Sequence, residues 1–73
     1  MQTYRDVDRD SGVEAFELTP NSIIVKFKGS ARTYEYSHAS AGVANVDEMK
    51  RLALSGDGLH SYINRRARLN YVR

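Results

Sequence analysis

Between Val13 and Ser37 the chain alternates apolar and polar residues, and from Val43 onward its apolar positions recur every three or four. The first pattern predicts strands and the second predicts helices. VEAFELT (13–19) reads as a strand with Phe16 and Leu18 on one side and Val13 and Ala15 on the other. TPNS (19–22) is turn chemistry, with Pro20 presetting its φ for the second position. SIIVKFK (22–28) places Ile23, Val25 and Phe27 on one face, opposite Ile24, Lys26 and Lys28. GSA then turns the chain into RTYEYS (32–37). Neighbouring strands usually pair, so these segments predict a three-stranded antiparallel β-meander.

After SHASAG, Val43, Val46, Met49, Leu52 and Ala53 fall at helical spacing. Asn45 with Glu48 resembles a capping box, and a start nearer Ser40 also fits. Gly56 supplies the stop. Leu59, Tyr62 and Ile63 predict a short second helix running into RRARLNYVR. Residues 1–10 read as a polar, frayed N-terminal tail, and residues 11–73 as a single domain. The expected fold class is α+β: the meander packed against one longer helix and a short C-terminal helical segment.

Tyr34 and Tyr36 lie on one face of their strand, and hairpin register decides which. A two-residue type II′ turn at Gly29-Ser30 sets Val25 opposite Tyr34 and Ile23 opposite Tyr36, which sends both rings to the core. A three-residue GSA loop slips everything by one and sends them outward beside Lys26 and Lys28. The longer loop wants glycine at its last position, where Ala31 stands, so the core register is favoured.

The chain has 73 residues, 41% hydrophobic and 27% charged, which suits a small globular domain rather than a disordered one. It has no cysteine, which excludes disulfide scaffolds, thiolate metal sites and thiol nucleophiles. MQTYRDVDRD lacks the apolar core of a signal peptide, and no run is long enough to span a bilayer. A soluble cytoplasmic domain with no membrane partner is the expectation. Residues 1–48 hold five Lys/Arg against eight Asp/Glu, and residues 49–73 hold six against one. A basic half of this kind attracts polyanions, although a solvated helix face has the same composition.

Several short fragments occur in a telling order: Ser11-Gly12-Val13, Val25-x-Phe27, Tyr34-Glu35-Tyr36, Ala53-x-Ser55, and Asn64 with Tyr71 seven residues later. Together they resemble the KTSC domain, a short bacterial module named after the C-terminus of some lysyl-tRNA synthetases. The resemblance covers most of residues 11–71 and implies a small α+β fold with a suspected RNA-binding role. The stretch between Tyr36 and the helix is longer than the pattern expects, and Ala67 stands where a larger aliphatic is usual.

The nucleic-acid candidates are Tyr34 and Tyr36 for stacking and Lys26, Lys28, Arg65, Arg66 and Arg68 for phosphate. DVDRDSGVEAFE (6–17) imitates a calcium loop through Asp6, Asp8, Asp10 and Glu17. Ser11 occupies the position that demands glycine, and no helix can precede Asp6, so an acidic tail is the better reading and no metal is expected. His38 and His60 adjoin serines in sequence, which does not make a nucleophile–base pair. SGDGLH lacks the lysine of a phosphate loop. These residues predict a non-catalytic binding domain without cofactor. Its partner is RNA or single-stranded DNA, or alternatively a protein docked on a strand edge or helix face.

Overall fold

The computed structural model describes residues 1–7 and 12–73. Four strands come first: β1 (Gln2–Thr3), β2 (Val13–Thr19), β3 (Ser22–Phe27) and β4 (Thr33–Ser37). A single helical turn, α1 (His38–Ala41), precedes the long helix α2 (Val43–Ser55). The last helix, α3 (Leu59–Tyr62), widens into a π-helical stretch at Ile63–Ala67. The sheet is antiparallel in the order β1-β2-β3-β4. The α+β class follows from the periodicities; the strand count does not, because the sheet has four strands rather than three.

The extra strand belongs to the segment expected to fray. Gln2 and Thr3 pair with Phe16 and Ala15. Two residues carry no period, so nothing local announced them; long-range contacts hold them. Tyr4 is buried edge-on against Phe16 at 6.5 Å, and its hydroxyl accepts from the Leu59 N–H at 3.3 Å. Arg5 Nη2 donates to the carbonyls of Leu54 (2.8 Å) and Ser55 (3.2 Å), and the Val7 N–H donates to Gly56 O (2.8 Å). The last carbonyls of a helix have no intrahelical donor and favour a nearby cation, so this segment caps α2. Gly56, at φ +80°, permits the approach: a Cβ there would lie 2.8 Å from Arg5 Cβ.

One face of the sheet is covered. Phe16, Ile23, Val25 and Tyr36 pack with Val46, Met49 and Ala53 of α2 and Leu59, Ile63 and Ala67 of the C-terminal helix. Each large side chain buried this way contributes about 1.5–3 kcal/mol. Three details differ from expectation. Asn45 and Glu48 form no capping box: Asn45 Nδ2 donates to Ala41 O at 2.8 Å, and Glu48 holds Arg51. That guanidinium's hydrogen bond keeps the Glu48 carboxyl below its ordinary pKa. The reciprocal box sits earlier, where Ser37 and Ser40 cap α1. The long stretch after Tyr36 is thus occupied by α1. Ala67, small where a larger residue was expected, is buried at the end of the π-helical stretch.

Candidate functional site

The β3–β4 hairpin fixes the site. Val25 pairs with Tyr34 and Ile23 with Tyr36, so both tyrosines share the core face. The turn is not type II′: the Ser30 N–H donates to Phe27 O at 3.2 Å, and Gly29, at φ +77°, takes the second central position. Positive φ at that position is what a type II turn requires of its glycine. Ser30 to Arg32 then complete the loop before Thr33, which restores the same register that a two-residue turn would give.

The two rings differ in exposure. Tyr36 is 1% exposed, whereas Tyr34 is half-buried. A groove of about 380 Å³ lies between the end of the hairpin and the C-terminal helix. Phe27, Tyr34 and Tyr71 wall one side, with Tyr36 among the lining residues; His60, Ile63, Asn64, Arg68 and Leu69 lie along the C-terminal helix and its continuation. The Val72 N–H donates to Glu35 O at 2.7 Å, which pins the C-terminal segment beside β4. Tyr71 consequently meets Tyr34 at 5.0 Å and Tyr36 at 6.3 Å, both edge-on. Phe27 extends the cluster, 5.6 Å from Tyr34 and 5.7 Å from the His60 ring.

Arginines stand over the aromatic wall. The Arg32 guanidinium lies 5.0 Å from the Tyr34 ring centre and 5.9 Å from that of Tyr71, and Arg73 lies 5.1 Å from Tyr71. Such cation–π contacts hold a guanidinium in place while leaving N–H donors available to an anion, although Arg73 Nη2 also donates to Leu69 O at 3.1 Å. Burial, followed by the neighbouring Tyr34 and Tyr71, pushes the Tyr36 hydroxyl up to about 12, so it stays neutral at physiological pH. His60 Nδ1 accepts from the Gly12 N–H at 2.9 Å, which ties the start of β2 to the groove wall and leaves Nε2 to carry the proton of the neutral ring.

The seven sequence candidates do not form one surface. Tyr34, Tyr36 and Arg68 line the groove. Lys26 lies on the opposite face of the sheet, paired with Glu14 at 2.9 Å, because it alternates with the core-facing Val25 and Phe27. Lys28 pairs with Asp6 at 2.9 Å. Arg65 Nε bonds Ser61 O at 3.4 Å, and Arg66 is exposed; neither lines the groove. Tyr36 is too buried to offer a face for stacking. Sequence reasoning missed Arg32, Tyr71 and Arg73. Arg32 shares its parity with Tyr34 and could have been read from it; Tyr71 and Arg73 follow the last helix with no period to place them.

Of the calcium-like loop, Asp8, Asp10 and Ser11 lie outside the described residues, and Asp6 is engaged by Lys28. Among the described residues, no three His, Asp or Glu side chains converge as a metal site. The serines beside the histidines are engaged elsewhere or exposed: Ser37 Oγ accepts from the Ser40 N–H at 3.0 Å, and Ser61 is exposed. No helix of the described residues is long and apolar enough to cross a membrane. No protein-family model matches the chain, and no curated protein or solved structure does.

Proposed function

We propose that the chain is a KTSC-like, non-catalytic module that binds RNA or single-stranded DNA in the groove between the β3–β4 hairpin and the C-terminal helix. The observation that carries this reading is the coincidence of half-buried aromatic rings with arginines: Tyr34 and Tyr71 lie beneath Arg32 and Arg73, with Arg68 alongside. Aromatic faces and guanidinium planes stack bases, and guanidinium N–H groups take phosphate. Three of the five fragments that carry the family resemblance support it too, since Phe27, Tyr34, Tyr36, Asn64 and Tyr71 line this one groove.

The test is a titration of the labelled domain with short mixed-sequence single-stranded RNA across a range of salt. Amides of residues 27–36 and 60–72 should shift while those around Lys26 and Glu17 stay still. Three arginines at about 0.7 each give an expected log–log salt slope of about −2. Absence of shifts at any salt, with the domain folded, would end the reading. A second reading, docking of a protein, is favoured by the exposed Val43 and Leu54 on α2; binding there would be apolar and indifferent to salt.

A further inference from the structure

A surface that holds several bases of a strand presents several aromatic faces in series. This chain has room for one. Of its five tyrosines and two phenylalanines, Tyr4, Phe16 and Tyr36 are buried, and Tyr62 is half-buried with its hydroxyl on Asn45 Oδ1 at 2.7 Å. The remaining rings, Phe27, Tyr34 and Tyr71, all line the groove. They meet at 65° and 79°, so they make a corner rather than a row of parallel platforms.

The facing wall sets three polar residues among the apolar Ile63 and Leu69. His60, Asn64 and Arg68 recur every four residues along the C-terminal helix and line the same groove. His60 is committed to Gly12. The Asn64 carboxamide and the Arg68 guanidinium have no hydrogen-bond or ion-pair partner among the described residues. The widened π-helical stretch spans Asn64, and such turns are frequent at functional sites.

We propose that the groove holds a single nucleotide, with its base against the Tyr34–Tyr71 corner, the base's polar edge on Asn64 and its phosphate on Arg68. This deepens the nucleic-acid reading and rests on it. A carboxamide presents a donor beside an acceptor, matching the donor and acceptor groups of base edges. A guanidinium offers donors only and suits phosphate. The volume of about 380 Å³ lies at the small end of ligand sites, roughly 300–1,000 Å³. Further nucleotides of a strand meet only the rim arginines, Arg32 and Arg73, so what they add is electrostatic and fades with salt.

The experiment titrates a 5′-mononucleotide, its nucleoside and the tetranucleotide of the same base into the domain at low and high salt, following groove amides. All three ligands move the same amides, and at high salt the mononucleotide and tetranucleotide agree within about threefold. Arg68→Ala weakens the mononucleotide about tenfold and leaves the nucleoside unchanged, whereas Asn64→Ala weakens both about tenfold. Both positions are exposed, and Arg68→Gln replaces the alanine variant if that one does not fold. A tetranucleotide still more than about tenfold tighter at high salt overturns the single-nucleotide site and leaves the nucleic-acid reading standing. So does an Arg68→Ala variant that weakens nucleoside and nucleotide alike. Silence from all three ligands ends both.

Discussion

Each end of the chain brings one tyrosine edge-on to a core aromatic, yet one end is sealed and the other is open. Tyr4 meets Phe16 at 6.5 Å, is 4% exposed, and accepts the Leu59 N–H. Tyr71 meets Tyr34 at 5.0 Å but stays half-buried, with arginines over its ring instead of a helix. The surroundings explain the difference. The N-terminal segment lies against the carbonyl end of α2, which supplies partners for Arg5 and Val7 and so closes the contact. The C-terminal segment lies against β4 through one backbone bond, Val72 to Glu35, and leaves a gap beside the last helix. The same residue type is sealed in the core at one end and left as the wall of an open groove at the other because of what remains to cover it.

The comparison breaks most readily at Tyr4. Tyr4→Ala removes a buried ring and leaves the Leu59 N–H unpaired, so a loss of about 3–5 kcal/mol is expected in denaturant unfolding. Tyr71→Ala removes a half-buried ring, and about 1–2 kcal/mol is expected. Its larger effect should appear in the groove, where ligand shifts are lost. Equal destabilisation by both variants would mean that the C-terminal end is as closed as the N-terminal one.

Tyr36 lies beneath the open end and offers a second probe. Its hydroxyl titrates at about 12 in the folded protein and at the ordinary 10 when unfolded. Between those values the unfolded chain loses the proton and the folded chain keeps it, so stability present below pH 10 is lost as pH rises to 12. The loss should be roughly 3 kcal/mol at about 1.4 kcal/mol per unit. Tyr36→Phe should flatten that part of the stability curve. An unchanged alkaline slope would mean that water already reaches the hydroxyl freely and that the groove is deeper than described.

Gly56 tests the sealed end at smaller scale. Gly56→Ala combines a left-handed φ with a Cβ 2.8 Å from that of Arg5, so about 1–2 kcal/mol is expected, with β1 amides losing hydrogen-exchange protection. Protection that survives would show that the N-terminal strand does not depend on its contact with the end of α2.

The contrast between the ends also marks what the sequence could reveal. The meander, the long helix and its stop at Gly56 follow from period and punctuation, which are local. The shared core face of Tyr34 and Tyr36 follows from counting across the hairpin, and the pairing matches that of a two-residue turn because Ser30 to Arg32 lengthen the loop without shifting the register. β1 and the Tyr71 wall were illegible because each is a short segment ordered by residues about 10 to 55 positions away. The split of the basic candidates had a simpler cause. Charge counted along a chain says nothing of faces, and Lys26 alternates away from the tyrosines it was grouped with.

Lys26 therefore carries the smallest expected effect. Its ammonium pairs with Glu14 at 2.9 Å, with side chains 29% and 50% exposed, and such pairs contribute about 0–1 kcal/mol. Lys26→Gln should leave stability within about 0.5 kcal/mol and ligand affinity within about twofold, because the groove opens on the other face of the sheet. Arg68→Gln, made in parallel, should weaken binding of a phosphate-bearing ligand about tenfold. If Lys26→Gln weakens binding and Arg68→Gln does not, the ligand lies on the outer face among Glu17, Lys26 and Glu35. The open end would then be a cleft without an occupant. If only Arg68→Gln weakens binding, the binding face is fixed by the alternation of a single strand.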